Sequence, residues 1–222
     1  MNNKIYDNCK EDPTLIFQYI KQGEYEIVYE LVENNIVSVN TIDCVGNDVV
    51  TRLLKVRQYE YVIQLMKKKN WNVNNQNDAG NTFGHILAMD NTPMAVKVVE
   101  ALTKKSNYIP NLKNKKHETA MDIAINNNYL CTAFKLLEDK RFNEIDFSLF
   151  KNLFSAGIEN KYYGKYSKIN NLEIIVESLE KKDLDSTMKD LIDCIVENLE
   201  KIKIDIMNNR RYTFDSIISN YA

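Results

Sequence analysis

The feature that most constrains the fold of this chain is a pattern that recurs four times along its first two thirds. Each copy ends in an apolar residue or proline followed by Asn or Asp, at Val39-Asn40, Val73-Asn74, Pro110-Asn111 and Ile145-Asp146. The steps between the polar residues are 34, 37 and 35 residues. Repeats of this length are supersecondary units that bury their apolar faces only against neighbouring copies.

Two apolar positions stand at fixed distances before each of these polar residues. Twelve residues earlier lie Val28, Val62, Val99 and Phe134. Nine residues earlier lie Leu31, Leu65, Leu102 and Leu137. Residues three apart share one face of an α-helix, so the pattern predicts one recurring helix with this face buried.

A second, shorter helical stretch precedes that helix in the copies where it can be recognised. It is TLIFQYIKQG in the first copy, NTFGHILAMD in the third and ETAMDIAINNN in the fourth. Gly23 follows the first of these stretches, where glycine can adopt the left-handed conformation that ends a helix. Each copy is therefore predicted to contain a loop, a short helix, a tight turn, a longer helix and an extended polar segment. The fold class is all-α.

These residues resemble the ankyrin repeat, whose pattern is D-x-x-G-x-T-P-L-H-x-A followed by a helix rich in Val and Leu. The resemblance is carried by residues 77–88 in the third copy, 119–124 in the fourth and 43–48 in the second. Thr-Pro-Leu-His is never complete, Gly84 stands where Leu is expected, and residues 104–110 are extra. The resemblance implies an ankyrin-repeat solenoid with four repeats at about 10–42, 43–76, 77–113 and 114–147.

Residues 148–222 lose the motif but keep helical spacing, with Leu149, Phe150, Leu153 and Phe154 as one apolar group. Residues 172–179 look like the second helix of a degenerate fifth repeat, after an enlarged loop around Tyr162, Tyr163 and Tyr166. A long amphipathic helix is predicted from Ser186 to about residue 208, with Asp185 or Ser186 capping its start. We expect these helices to cap the array. The alternative is a separate helix that docks a partner.

Composition excludes several function classes. The chain has 29 basic and 31 acidic residues, without the basic surplus of a nucleic-acid binder. It lacks the run of about 18 apolar residues that spans a membrane. The four cysteines are far apart, which disfavours a zinc site. The first residues lack the apolar core of a secretion signal, so we do not expect a disulfide framework. We therefore expect a cytoplasmic protein without metal or cofactor, and with neither nucleic acid nor membrane as a partner.

The sequence offers little for catalysis. His85 lies on a short helix, and the resemblance implies a structural imidazole that bonds loop backbone. His117 occupies the position of a turn glycine and is predicted to be an exposed loop residue. Neither histidine has a nucleophile or carboxylate at useful spacing, and phosphate-binding and HExxH motifs are absent. We predict that the chain is not an enzyme and has no small-molecule substrate, the alternative being an active-site loop at residues 148–170.

The resemblance implies that a partner protein contacts the concave surface formed by the loops and the short helices. The family's contact positions correspond here to Asp43, Val45, Asn47, Asp78, Ala79, Asn81, Met89, Asn114, Lys115 and Asn126. Trp71 joins this set as a binding anchor if it is exposed, and otherwise it packs between neighbouring copies. The loop lysines Lys113, Lys115 and Lys116 could meet an acidic partner, whereas Lys67, Lys68 and Lys69 end a helix, where cations are favoured.

The predicted function is therefore non-catalytic recognition of another protein. Small divergent ankyrin chains of this composition resemble those of large DNA viruses, intracellular bacteria or protists. That resemblance implies interference with a host signalling protein, in the host cytoplasm or nucleus. The alternative is a constitutive subunit or assembly chaperone of a larger complex.

Overall fold

A computed structural model describes residues 3–143, 145, 147–159 and 165–208, without the side chains of residues 3, 147, 158, 159 and 165–169. The described part of the chain is mostly helical and contains no β-strand, so the all-α prediction is confirmed. The chain divides into two compact units, Met1–Ile123 and Ala124–Ala222. This division falls inside a helix of the fourth copy, whereas the sequence predicts a boundary at residue 147.

The first unit is a succession of short helices. They are α1 (Asn3–Glu11), a 3-10 turn (Pro13–Leu15), α2 (Ile16–Gln22), α3 (Tyr25–Glu33), α4 (Val49–Lys55), α5 (Tyr59–Leu65), α6 (Phe83–Leu87) and α7 (Pro93–Thr103). The next helix, α8 (Ala120–Asn126), begins in this unit and ends in the second. Within the first unit α2 packs on α3, α4 on α5 and α6 on α7. The first helices of the pairs touch in the order α2, α4, α6, and the second helices in the order α3, α5, α7.

The apolar positions that recur in the sequence form the core of these pairs. Val28, Leu31, Val62, Leu65, Val99 and Leu102 are fully buried. Their equivalents in the fourth copy, Phe134 and Leu137, are buried in the second unit. The predicted face of the recurring helix is thus confirmed at all eight positions.

Left-handed residues end the first short helix and form the tips of the following loops. Gly23 has φ +84° at the end of α2, as predicted. Gly46 and Gly80 have φ +79° and +75° in the second and third loops. His117 is exposed with φ +63° in the fourth loop, so the prediction that it replaces a turn glycine is confirmed.

Polar side chains start the short helices by bonding N–H groups that no helical carbonyl can reach. Asp48 accepts a hydrogen bond from the Thr51 N–H at 2.7 Å at the start of α4. Asp48 therefore replaces the threonine that the repeat pattern expects there. Thr119 and Asp122 bond each other's backbone N–H groups at the start of α8, an arrangement that satisfies two of the otherwise unpaired donors.

Two features of the first unit were not predicted from the repeat pattern. Helix α1 precedes the first copy and buries Cys9 completely, while its Tyr6 hydroxyl accepts a hydrogen bond from Asn34. The glycine at position 84 is explained by Tyr108, because a Cβ on Gly84 would lie 2.9 Å from the Tyr108 hydroxyl. The extra residues of the third copy supply that buried tyrosine, so the departure at position 84 and the insertion accommodate each other.

The second unit contains the end of α8 and four further helices, α9 (Leu130–Leu137), α10 (Phe147–Glu159), α11 (Lys165–Glu180) and α12 (Ser186–Met207). Helix α11 is central, since it packs on α9, α10 and α12. The predicted start of α12 is confirmed, because the Asp185 side chain accepts the Met188 N–H at 2.9 Å. Of the predicted tyrosine loop, Tyr162 and Tyr163 lie outside the described residues, whereas the backbone of Tyr166 belongs to α11.

A buried lysine joins two loops of the second unit. Lys182 is only 8% exposed, its ammonium group donates to the Asp139 carbonyl, and it lies 5.7 Å from the centre of the Phe142 ring. The Asp139 carboxylate is bound by Arg141 at 2.7 Å. Burial lowers the pKa of Lys182 to about 8, against the opposing attraction of Asp139.

This lysine predicts a pH dependence of stability. The pKa of Lys182 is lower in the folded chain than in the unfolded one, so below pH 8 the charged lysine lowers the free energy of unfolding. This destabilisation disappears as the pH rises from 8 towards the pKa of a lysine in the unfolded chain. The free energy of unfolding of the natural chain, relative to that of Lys182→Met, should therefore rise between pH 8 and about pH 10.5. Denaturant unfolding of both chains across that range measures the difference. A difference that is constant or falls with pH would contradict the prediction.

Candidate partner-binding cleft

The loops between the helix pairs are held in shape by one polar side chain each. The first residue of each loop accepts two backbone N–H groups from the tip that follows it, at distances between 2.8 and 3.0 Å. The three accepting side chains are Asp43, Asn77 and Asn114. Each loop is thus fixed locally, before any contact with its neighbours.

Neighbouring loops are also bonded to each other in a repeating manner. The Asn77 side-chain amide donates to the side-chain oxygen Oδ1 of Asn47 at 2.9 Å, and the Asn114 amide donates to Asn81 Oδ1 at the same distance. The backbone repeats this link, since the Asp78 N–H donates to the Val45 carbonyl at 3.0 Å. The equivalent bond one loop later, from the Lys115 N–H to the Ala79 carbonyl, is 3.1 Å long. The row of loop tips is therefore a hydrogen-bonded network that fixes their spacing.

The asparagine that ends the first copy and the one that ends the second each bond the following copy. Asn40 donates to the Asn70 carbonyl at 2.7 Å and accepts the Asn72 N–H at 2.7 Å. Asn74 repeats this arrangement 34 residues later, with the carbonyl of residue 107 and the N–H of residue 109. An asparagine suits this position because its side chain offers one donor and one acceptor to a backbone segment.

An open cleft of about 600 Å³ lies between the loop tips and the C-terminal ends of α4 and α6. It is lined by Val45, Asn47, Leu54, Lys55, Arg57, Asn77, Asp78, Ala79, Asn81, Ile86, Met89 and Asp90. Val45 and Met89 are 43% and 47% exposed, although both are apolar. Exposed apolar side chains that share one cleft are typical of a surface that binds another molecule.

A polar cluster fixes the helix end of the cleft. The Asp90 carboxylate accepts a hydrogen bond from the Tyr59 hydroxyl and lies 3.5 Å from Arg57 Nε. The Thr92 hydroxyl bonds the same tyrosine at 2.9 Å. Burial alone would raise the pKa of Asp90, but the bonds from Tyr59 and Thr92 and the charge of Arg57 outweigh it, so the pKa is lowered. Asp90 is therefore an ionised group held in place by α5 and by the Arg57 side chain.

Six of the eleven predicted contact residues line this cleft. They are Val45, Asn47, Asp78, Ala79, Asn81 and Met89. Lys115 is exposed on the adjoining loop tip, and Asp43 is half-buried beside Arg52, at 3.5 Å. Asn126 is exposed at the end of α8, in the second unit.

Three of the predicted contact residues, among them Asn47 in the cleft lining, have buried side chains that offer a partner little surface. Asn47 and Asn114 are 0% and 7% exposed, and their amides serve the network between the loops. Trp71 is 1% exposed and stacks edge-on against Phe83 with 5.0 Å between ring centres. It packs between neighbouring copies, as predicted for a tryptophan that is not exposed, and it is not an exposed anchor.

The sequence prediction missed the helix wall of the cleft, formed by Leu54, Lys55, Arg57, Ile86 and Asp90. One of these could have been found from the repeat spacing. Met89 and Asn126 are equivalent positions 37 residues apart, and the same position in the second copy, 34 residues before Met89, is Lys55. Because Met89 and Asn126 were predicted contacts at this repeat position, the same reasoning would have added Lys55 in the second copy.

The structural prediction for His85 is confirmed. Its Nδ1 accepts the Thr82 N–H at 3.1 Å, and its Nε2 lies 2.9 Å from the Glu118 carbonyl oxygen. The first bond makes Nδ1 an acceptor, so Nε2 carries the proton and donates to the carbonyl. Burial lowers the pKa of His85, which favours this neutral form. The imidazole therefore connects the start of α6 to the next loop.

Among the described side chains, no group of three or more His, Cys, Asp or Glu residues is arranged to hold a metal ion. No described helix is both long and apolar enough to cross a membrane. Comparison with protein-family models and with curated protein sequences finds no match for this chain.

Proposed function

We propose that this chain is an ankyrin-type repeat protein that binds another protein, without catalysis, through the cleft between its loop tips and the ends of α4 and α6. In this proposal residues 10–147 carry the repeats, and the helices after residue 147 close one end of the array. The contacts within the first unit support it, because the helix pairs lie side by side in chain order.

The observation that carries the proposal is the pair Val45 and Met89. Each exposes nearly half of its surface in the cleft, one from a loop tip and the other from the end of a short helix. Complete burial of an exposed apolar side chain of this size is worth about 1.5–3 kcal/mol, so covering the exposed part of each would contribute about 1 kcal/mol apiece. A partner side chain placed between them would be the centre of the interface.

The stiffness of the surrounding loops supports binding to a preformed surface. Every loop tip is held by its own side-chain cap and by at least one neighbouring loop. A surface that is already ordered loses little conformational entropy when a partner binds, which favours affinity without any chemical step. A cytoplasmic location and interference with host signalling stay predictions from the resemblance.

Substitution in the cleft tests the proposal. Met89→Asp should weaken partner capture by about tenfold or more, because it places a charge where an apolar contact forms. The matched control is Ile109→Asp, since Ile109 is 51% exposed in the same unit but lies outside the cleft. The natural chain and each variant are purified from cells that express that chain. Quantitative mass spectrometry of the proteins retained with each one measures the effect.

The outcomes of this experiment separate the hypotheses. Loss of one retained protein with Met89→Asp, and its retention with Ile109→Asp, supports the cleft. Equal losses with both variants, or a loss with Ile109→Asp alone, would overturn the choice of surface. Retention at a fixed stoichiometry in every preparation would favour the role of a constitutive subunit.

A further inference from the structure

We infer that the partner presents an acidic segment with one apolar side chain, the apolar group entering between Val45 and Met89 and the carboxylates facing the lysines on both sides. This inference rests on the proposed function, since it names the chemistry of the partner at the same cleft. It depends on how charge is distributed around the cleft.

Cations flank the cleft on two sides. Lys55 and Arg57 are exposed at the end of α4, on the helix wall. Lys113, Lys115 and Lys116 are exposed on the loop tip that follows the cleft. That tip is joined directly to the cleft wall, because the Lys115 N–H donates to the Ala79 carbonyl at 3.1 Å and the Gln76 side chain donates to the Lys113 carbonyl at 3.0 Å. The basic loop that the sequence singled out is thus part of the rim.

The carboxylates nearby do not balance these cations. Asp90 is held by Tyr59 and Arg57, so its charge is already compensated. Glu118 accepts a hydrogen bond from the Asn114 amide. Asp78 is the acidic group exposed in the lining. With Arg57 paired to Asp90, four exposed lysines surround the cleft against two carboxylates, Asp78 and Glu118, in a chain whose net charge is -2.

Charge complementarity then identifies the partner segment as acidic. Charges within about 10 Å of each other interact appreciably at physiological salt, and opposite charges across an interface steer encounter and fix its register. Asp78 would disfavour a carboxylate beside Val45, so the acidic residues should stand on either side of the apolar anchor. The expected pattern is acidic, apolar, acidic.

A protein segment fits this cleft better than a nucleic acid. Single-stranded nucleic acids bind on aromatic side chains that stack with the bases. The described lining offers aliphatic and thioether side chains instead, from Leu54, Ile86, Val45 and Met89. Such a surface suits an aliphatic or aromatic amino-acid side chain.

Selection from a random peptide library displayed on phage tests the inference directly. The purified full chain is the target, and Lys115→Glu/Lys116→Glu and Met89→Asp are parallel targets. The control is Lys97→Glu, an exposed lysine on α7 outside the cleft. We expect the natural chain and Lys97→Glu to enrich peptides with acidic residues around one apolar residue. For an enriched peptide, the dissociation constant should rise about tenfold with the double lysine variant.

The possible results distinguish the two proposals. Enriched peptides that are neutral or basic, or that bind Lys115→Glu/Lys116→Glu equally well, would overturn the acidic partner but leave the cleft in place. Peptides that bind Met89→Asp as tightly as the natural chain, or a selection that enriches no sequence, would overturn the proposed function as well. Tighter binding of an oligothymidylate probe than of any enriched peptide would replace the protein partner by a nucleic acid.

Discussion

Replacing Trp71 with alanine is expected to lower the free energy of unfolding by roughly 3–5 kcal/mol, the usual cost of removing a buried large aromatic side chain. Trp71 is among the largest fully buried side chains of the chain. Its ring stacks against Phe83 of the next copy, and the Lys105 ammonium group lies 5.5 Å from its centre. Alanine would leave a cavity between two helix pairs that the fixed loops around it could not close.

Part of the contribution of Trp71 to the free energy of unfolding comes from its indole N–H, which other aromatic side chains lack. It donates to the Asp48 carboxylate at 3.1 Å, and Asp48 is itself 1% exposed. Burial raises the pKa of Asp48, while the bonds from Thr51 and Trp71 act in the opposite direction. Trp71→Phe keeps most of the volume but removes this donor from a buried carboxylate, which should cost about 1–3 kcal/mol.

Urea denaturation of the natural chain, Trp71→Ala and Trp71→Phe measures these differences in the free energy of unfolding. Met89→Ala provides the surface control, and because its side chain is half exposed we expect a change within about 0.5 kcal/mol. A loss below about 1 kcal/mol for Trp71→Ala would show that the tryptophan does not join the copies as described here.

Gly80→Ala is the second substitution with a large expected effect. Gly80 has φ +75°, a conformation that costs an L-residue about 1–2 kcal/mol. A Cβ there would also lie 2.7 Å from the Lys115 backbone nitrogen, so the two loops would have to separate. Separation would weaken the bond between the Lys115 N–H and the Ala79 carbonyl, for a total loss of roughly 3–4 kcal/mol.

The chain contains a matched control for the backbone strain. Gly23 has φ +84°, and a Cβ at that position would meet nothing within 4 Å. Gly23→Ala should therefore cost only the strain, so we expect Gly80→Ala to be less stable than Gly23→Ala by about 2 kcal/mol in thermal or urea unfolding. Equal losses would mean that the contact between neighbouring loops adds nothing to the stability of the array.

The sequence predicted the regular parts of the fold because periodicity reports directly on burial. Val28 and Leu31 recur in every copy at one spacing, and the structure buries each equivalent. The left-handed turn at His117 was predictable for the same reason, since its position in the repeat belongs to glycine. Helix α1 was not predictable from repetition, because it occurs once.

The candidate site was predicted only in part because repeat position does not determine burial. Val45 and Asn47 are two residues apart in one loop, yet Val45 faces the cleft and Asn47 is enclosed by hydrogen bonds to the next loop. The charged wall at Arg57 depends on a left-handed residue with φ +60° after α4, for which no glycine appears in the sequence. Contacts of this kind need coordinates, whereas Lys55 could have been found by counting 34 residues back from Met89.

Photo-crosslinking from the cleft tests the central claim most directly. A benzophenone amino acid is placed at position 89 in one chain and at position 109 in another, and each is irradiated in the cells that express it. We predict one crosslinked protein from position 89 that is absent from position 109. Crosslinking of the same protein from position 109 alone, or none from position 89 while that protein still co-purifies with the chain, would contradict binding at this cleft.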